Sequence, residues 1–285
     1  MFFVLLSALC SVAVSVLLKL ARRWRVDVGQ AIAWNYVATS ALTAWLLQPS
    51  SSSLRDGNVP WPALVALGVL LPTIFLALAA AVRHAGIVRS DAAQRLSLLL
   101  SLLAAFVLFG EQLSAFKFGG IALGLLALAC MVWRGSGADT GTGAAAWLYP
   151  LLVFAGFGSI DILFKRVALA GVPLGVSLRA MFALALVVAF ALQLWRRVRG
   201  TTRFTARSAL AGLLLGAANF GNILFYLRAH RALPDHPALV FASMNIGVVA
   251  LGALVGLLAF RERLSRLNLA GVALAAVAIG VLARG

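Results

Sequence analysis

Charged residues are scarce in this chain. Asp, Glu, Lys and Arg make up 11% of its 285 residues, and only 8 residues are acidic. A soluble domain has about 25% charged residues and about 45–50% apolar residues, whereas this chain is 63% hydrophobic with a mean hydropathy of +1.02. So much apolar surface can be kept from water only in a lipid bilayer, which excludes an ordinary soluble domain.

The chain also lacks the short motifs that mark enzymes and metal sites. It has no His-Glu-x-x-His, Gly-x-Ser-x-Gly or P-loop, and its Cys and His residues show no metal-ligand spacing. We therefore expect no enzyme activity, no cofactor and no metal, with energy coming from gradients. A net charge of +16 would suggest nucleic acid in a soluble protein. Here the basic residues are spread over loops and helix ends, which favours lipid headgroups as partners and no nucleic acid.

Ten apolar segments approach the roughly 20 residues that a transmembrane helix needs. We number them spans 1 to 10, at residues 2–20, 29–47, 61–82, 87–110, 114–133, 145–167, 173–195, 208–229, 237–260 and 267–283. Short charged, Gly or Pro segments separate them, so little chain remains for a soluble domain. The predicted fold class is an all-α integral membrane protein with ten transmembrane helices.

Two sets of identities indicate an internal repeat. Glu111-Gln112-Leu113-Ser114 matches Glu262-Arg263-Leu264-Ser265 at an offset of 151 residues, and Gly follows each Glu by nine positions. Leu17, Lys19, Val26 and Gly29 recur at an offset of 146 residues. Each half holds five spans, and an odd number forces the second half to enter the membrane upside down. We predict two inverted five-helix repeats, residues 1–133 and 145–285, joined by a linker at 134–144.

These features together resemble a known family. Ten spans built as five plus five, a Lys ending spans 1 and 6, and Gly110-Glu111-Gln112-Leu113-Ser114 ending span 4 are similar to the drug/metabolite transporter superfamily, in its EamA-like branch. Arg261 departs from the pattern, since Gly is usual before the second Glu. The resemblance implies a multi-pass carrier of the bacterial inner (cytoplasmic) membrane, with a central cavity lined by spans 3, 4, 8 and 9, and export of amino acids or other small metabolites.

The expected function is therefore secondary transport, most readily export, of a small polar metabolite such as an amino acid by alternating access between the two repeats. The alternatives from other classes are a membrane-embedded enzyme and a non-transporting membrane scaffold. Coupling to a proton or to a counter-substrate stays open, as does a monomer against a homodimer. Substrate identity and the direction of transport cannot be read from the residues.

Charged residues within spans are the first candidates for the site, because a central charge costs about 2.5–3.5 kcal/mol on insertion scales. Asp91 and Arg95 lie four residues apart in span 4, as do Asp161 and Lys165 in span 6, so each pair shares a helical face. We expect Arg95 to bind a substrate carboxylate and Asp91 to orient the Arg95 side chain. Arg179 in span 7 is a second cationic candidate. The alternatives are structural ion pairs and, for Arg179, a bond to helix-terminal carbonyls.

Uncharged side chains complete the expected substrate site. The amides predicted to bind substrate are Gln94, Asn219, Asn222 and Asn245, with Asn35 as a further polar candidate and Trp34 and Tyr36 as apolar or stacking walls. Gln94 and Asn245 each precede a repeated Glu by 17 positions, so the repeat places them at equivalent depths. The alternative for the amides is interhelical hydrogen bonding. Gating or structural roles are expected for Lys19, Lys165, Asp161, Glu111 and Glu262.

The distribution of basic residues predicts the orientation of the chain. Loops and helix ends after the odd-numbered spans carry 15 Lys and Arg residues, and the opposite side carries 7. The positive-inside rule therefore places both termini outside the cytoplasm. The family resemblance implies the opposite, so the orientation stays open.

Overall fold

The structure, a computed structural model, describes residues 1–49, 59–132, 144–260 and 266–284. All regular secondary structure in these residues is helical. The helices are α1 (Phe2–Arg23), α2 (Val28–Leu47), α3 (Trp61–Val107), α4 (Ala115–Val132), α5 (Ala144–Leu169), α6 (Leu174–Val198), α7 (Ala206–Ala232), α8 (Pro237–Phe260) and α9 (Arg266–Leu282). Within the described chain, six of them contain a segment long and apolar enough to cross a membrane.

The third and fourth predicted spans are joined in one helix, which corrects the expected break between residues 82 and 87. α3 has 47 residues, more than twice the roughly 20 that one membrane span needs. It contains two apolar segments, Trp61–Val82 and Ala92–Val107. The segment between them has charged residues and Gly86 but no proline. Its backbone hydrogen-bond donors are therefore all present, and the helix continues through it.

The chain divides into two compact units, each drawn from both halves of the sequence. The first unit comprises Met1–Ala8, Ala77–Ile162 and Ala232–Gly285. Within it α4 packs along α9, and α8 contacts both. A Cβ added at Gly120 would lie 2.6 Å from Leu282 Cγ, and one at Gly124 would lie 3.8 Å from Ala278 Cβ. Since one partner rises in number as the other falls, α4 and α9 are antiparallel.

The second unit comprises Leu9–Leu76 and Leu163–Arg231. Within it α2 packs along α6, and these helices are also antiparallel. Gly29, at the start of α2, lies against the Arg196 side chain at the end of α6. Gly175, at the start of α6, lies against Leu47 at the end of α2, with its ideal Cβ position 3.0 Å from Leu47 Cβ.

α7 packs against α2 in the parallel direction through a stripe of small residues. Ser208, Gly212 and Gly216 follow each other at four-residue intervals on α7. A Cβ added at Gly212 would lie 2.5 Å from the Ala31 carbonyl oxygen, and one at Gly216 would lie 2.6 Å from Ala38 Cβ. Glycine thus allows the two backbones to approach closely, as in the small-xxx-small contacts of membrane helices.

Candidate functional site

A polar stripe on α3 faces an acidic residue of α5 within the first unit. Gln94, Ser97 and Ser101 share one face of α3, being three and four residues apart. The Ser101 hydroxyl donates a hydrogen bond to Asp161 Oδ2 at 2.8 Å, and the Ser97 hydroxyl donates to the Gln94 carbonyl at 2.6 Å. An acidic side chain with a hydroxyl partner therefore lies inside a membrane-length helix, where acids are rare and mostly functional.

Close helix packing fixes the position of this acid. Gly158 is one turn before Asp161 on α5, and a Cβ there would lie 2.6 Å from Leu100 Cδ2. Gly158 therefore lets α5 approach α3 at the turn where Ser101 meets Asp161. The sequence of α3 contains a signal for this contact, because Ser97 and Ser101 are hydroxyl residues four positions apart in an apolar segment. They were not among the predicted site residues.

Arg95 lies half-buried on α3, beside this polar stripe. The side chain of Asp91 is outside the described part of the structure, so its expected orienting contact with Arg95 stays a prediction. Gln94 is also half-buried. Asn245 is half-buried on α8, where its Nδ2 donates to the Phe241 carbonyl at 3.1 Å, one turn earlier in the same helix. The equivalent depth of Gln94 and Asn245 and their binding of substrate likewise stay predictions.

Amides also meet within the second unit. Asn219 Nδ2 on α7 donates to Asn35 Oδ1 on α2 at 3.1 Å, and both side chains are buried. This is the interhelical bond that was the alternative to substrate binding. Asn222, nearly one turn further along α7, is half-buried. Trp34 meets Phe190 edge-on with ring centroids 5.8 Å apart, and the ring of Tyr36 is fully buried.

Arg179, Lys19 and Lys165 lie in three different environments. Arg179 is exposed, and its Nη1 donates to the Pro49 carbonyl at 3.2 Å, just beyond the end of α2. This is the helix-terminal bond named as its alternative. Lys19 is exposed on α1. Lys165 is fully buried on α5, as His230 is on α7.

Glu111 lies at a junction of three segments in the first unit. Gly110 has a positive φ of 67°, a conformation that favours glycine, and it turns the chain after α3. The buried Glu111 Oε2 then accepts a hydrogen bond from the Ala238 N–H at 2.6 Å, at the first turn of α8. Its Oε1 pairs with Lys117 Nζ of α4 at 3.0 Å. These contacts cap a helix and neutralise a buried cation. Glu262, its repeat counterpart, lies outside the described residues.

A polar network that was not predicted from the sequence surrounds Asp27 in the second unit. Asp27 caps the start of α2 by accepting from the Gln30 N–H at 3.1 Å. Arg196 of α6 donates to both Asp27 oxygens, at 3.1 and 3.2 Å, and the Thr202 hydroxyl donates to Oδ2 at 2.7 Å. The Asp27 N–H donates to Ser208 Oγ of α7 at 3.1 Å. The start of α2 is thereby tied to α6 and α7.

This environment changes the acidity of Asp27, which lies between α1 and α2. Burial raises the pKa of its carboxyl, but the hydrogen bonds from Thr202, Arg196 and Gln30 and the charge of Arg196 outweigh it. The pKa is therefore held below its usual 3.8. The available signal was the spacing Asp27-x-x-Gln30 before an apolar run, which is typical of a helix start.

The structure thus defines a multi-pass membrane protein with polar groups inside its apolar helices. The family model of the EamA-like transporter family matches residues 1–133, and the chain belongs to that family, which lies in the drug/metabolite transporter superfamily. It is accordingly a membrane transporter of the drug/metabolite type.

Two further comparisons found proteins that are similar over most of the chain. An uncharacterized protein of Haemophilus influenzae (strain ATCC 51907 / DSM 11121 / KW20 / Rd) is 44% identical over 269 residues, which cover 93% of this chain and 91% of that protein. The crystal structure of another protein is similar, with a TM-score of 0.78 at 18% identity. It covers 98% of this chain and 94% of its own, and at that identity it speaks for the fold alone.

Proposed function

We propose that the protein is a secondary transporter that exports a small zwitterionic metabolite, such as an amino acid, across the bacterial inner membrane. The observation that carries this substrate class is the presence of both signs of charge on apolar helices of the first unit. Arg95 is on α3, and Asp161 is on α5 with a hydroxyl partner on α3. A bacterial relative of similar length supports the choice of membrane.

Ser101, the partner of Asp161, lies six residues beyond Arg95, which is about 9 Å along the helix axis and about 120° around it. The long Arg95 side chain therefore has to extend around α3 to reach a solute held at Asp161. The planar guanidinium of Arg95 matches a carboxylate, and the Asp161 carboxyl can accept hydrogen bonds from an ammonium group. The hydroxyls and amide of the α3 stripe add partners for a polar solute that has lost its water.

Alternating access requires two related parts that move against each other, and we propose that residues 1–133 and 145–285 are inverted repeats serving this role. Support comes from the helix pairs α2 with α6 and α4 with α9, which would be repeat counterparts. Each pair is antiparallel, as counterparts related by an axis in the membrane plane must be. Gly29 and Gly175, identical at the offset of 146 residues, also make matching contacts, each against the far end of the other helix.

A competition screen with purified protein in liposomes tests the proposed function. We expect zwitterionic amino acids to compete for flux better than their purely anionic or purely cationic analogues. Parallel measurements with and without a pH gradient, and with unlabelled solute inside, separate proton coupling from exchange. Chemical conversion of the solute without flux would favour the membrane-embedded enzyme. The absence of both conversion and flux would favour the scaffold.

A further inference from the structure

One cavity in the first unit has a lining that suits an apolar ligand. It has a volume of about 440 Å³ and lies among the first turns of α1 and the middle of α8 and α9. Its described lining is apolar apart from a single serine. Representative lining residues are Phe2, Leu5, Ser243, Gly247, Leu254 and Ala276. No charged side chain is among the described lining residues, so this cavity is unsuited to the zwitterion proposed above.

The cavity opens towards lipid and has the length of one bilayer leaflet. Its α8 lining runs from Ser243 to Leu254, 11 residues or about 16 Å along the helix, which is about half of the roughly 30 Å hydrocarbon core. Three of its apolar lining residues, Phe2, Leu5 and Leu254, are themselves 68%, 52% and 38% exposed. The groove therefore continues into the apolar outer surface of the helices.

One polar atom at the end of the groove has no partner. Ser243 is 1% exposed, and its hydroxyl makes no hydrogen bond within the described structure. Ser243 lies six residues from the start of α8 at Pro237, about 9 Å. Leu254 lies equally far from the end of α8 at Phe260, so the unpartnered hydroxyl is what distinguishes the two ends of the groove. A buried hydroxyl without a partner is costly and calls for one.

We propose that this groove binds one acyl chain of a membrane phospholipid, with the Ser243 hydroxyl donating a hydrogen bond to an ester carbonyl oxygen of that lipid. The chain fills the apolar groove along α8, and the ester lies at the serine end. The lipid thereby holds the first turns of α1 against α8 and α9.

Two glycines of α8 supply a matched pair of variants. A Cβ at Gly247, which lines the groove, would meet only Ala8 Cβ at 3.7 Å, an ordinary contact. A Cβ at Gly252, outside the lining, would meet nothing within 4 Å. Both positions accept a Cβ, but Gly247→Leu places its side chain at the groove and Gly252→Leu does not.

Native mass spectrometry of delipidated protein, titrated with dioleoyl phosphatidylcholine and with its ether-linked analogue, tests the proposal. We expect Gly247→Leu to weaken binding of the first lipid at least tenfold, and Gly252→Leu to bind within twofold of wild type. Ser243→Ala should weaken binding of the ester lipid by about two- to tenfold, the value of one hydrogen bond. It should bind the ether lipid as wild type does.

Each other outcome overturns part of the proposal. Equal first-lipid binding by the two glycine variants would remove the acyl chain from the groove. Binding that depends on Gly247 but not on Ser243 would overturn the ester contact. Efficient disulfide crosslinking of two copies through Leu254→Cys would show that a second copy of the chain, and not a lipid, covers the groove. If Gly247→Leu fails to fold, as judged by gel filtration, Ala250→Leu fills the same groove and replaces it.

Discussion

Glu111 and Ser114, two residues of the first repeated motif, have structural roles at helix starts. The Glu111 carboxylate caps α8 and pairs with Lys117, and Ser114, three residues later, caps α4 by accepting from the Lys117 N–H at 3.1 Å. One short segment thus satisfies the starts of two helices and a buried cation.

Glu111→Gln should destabilise the protein. The amide keeps an acceptor for Ala238 but leaves the buried Lys117 without its counter-charge, so we expect a loss of about 1–3 kcal/mol in the free energy of unfolding. Unfolding titrations with SDS measure this loss. Gln112→Ala is the control, because Gln112 accepts the hydrogen bond from Lys117 Nζ through its backbone carbonyl, which the substitution keeps. An unchanged stability in Glu111→Gln would show that the ion pair contributes little.

The ion pair of Asp27 and Arg196 makes a pH-dependent contribution to stability. Because the pKa of Asp27 is lower in the folded protein than its usual 3.8, protonation disfavours folding. The contribution is present above about pH 3.8 and is lost as the pH falls through the lower, folded-state pKa.

Asp27→Asn should therefore lower the thermal unfolding midpoint at neutral pH, and the difference from wild type should shrink as the pH falls below 3.8. The unfolding midpoints of wild type and variant are measured in detergent between pH 3 and 7. Their difference at each pH removes the effect of the other acids, which titrate in both proteins. A difference that stays constant over this range would show that the charge of Asp27 is not what stabilises the start of α2.

The packing of α7 on α2 depends on the two glycines of the small-residue stripe. Gly212→Ala and Gly216→Ala should each lower the free energy of unfolding, because their new methyl groups meet backbone oxygens of α2 that cannot move away easily. We expect about 1–3 kcal/mol each, the cost of overpacking. Gly280→Ala on α9 is the control, since its Cβ would meet nothing within 4 Å. Equal stabilities of all three variants in SDS titrations would contradict close packing of α2 and α7.

Helices were more predictable than contacts, for a physical reason. The length and hydropathy of a span are local properties, so the predicted spans coincide with helices of the described chain, six of which contain a segment long and apolar enough to cross a membrane. The predicted break between residues 82 and 87 was wrong because charged residues and Gly86 weaken a helix without removing a backbone hydrogen-bond donor. The bond from Arg196 to Asp27 joins residues 169 positions apart, and the fold alone brings them together. The partner of Asp161 was missed for the same reason, although both residues were visible as polar groups.

The asymmetry of basic charge predicts the orientation of the chain in the membrane. In the second unit, the start of α2, the end of α6 and the start of α7 share the network around Asp27. Arg196, Arg197, Arg199, Arg203 and Arg207 belong to this end. The positive-inside rule predicts that it faces the cytoplasm and that both termini lie outside. A fluorescent protein fused after Gly285 should then stay dark, and alkaline phosphatase there should be active. The reverse result would support the orientation implied by the family.

The central claim, that Arg95 and Asp161 select a zwitterion, is tested most directly by counterflow of a labelled amino acid in proteoliposomes. The competitors are its N-acetylated form, which lacks the ammonium group, and the corresponding amine, which lacks the carboxylate. In wild type, neither should compete well. Arg95→Lys keeps the charge but loses the planar fork, and Asp161→Asn loses the charge. Each should weaken apparent affinity for the amino acid by about 10- to 100-fold, or 1.4–3 kcal/mol.

Each variant should also lose its preference for the group that its own side chain binds. Asp161→Asn should no longer distinguish the amino acid from the N-acetylated form, and Arg95→Lys should discriminate less against the amine. Arg207→Lys, whose arginine is exposed and bonds the Trp24 carbonyl, should transport with unchanged affinity. Unchanged amino acid affinity in both site variants, or selective transport of a quaternary ammonium, would contradict the account.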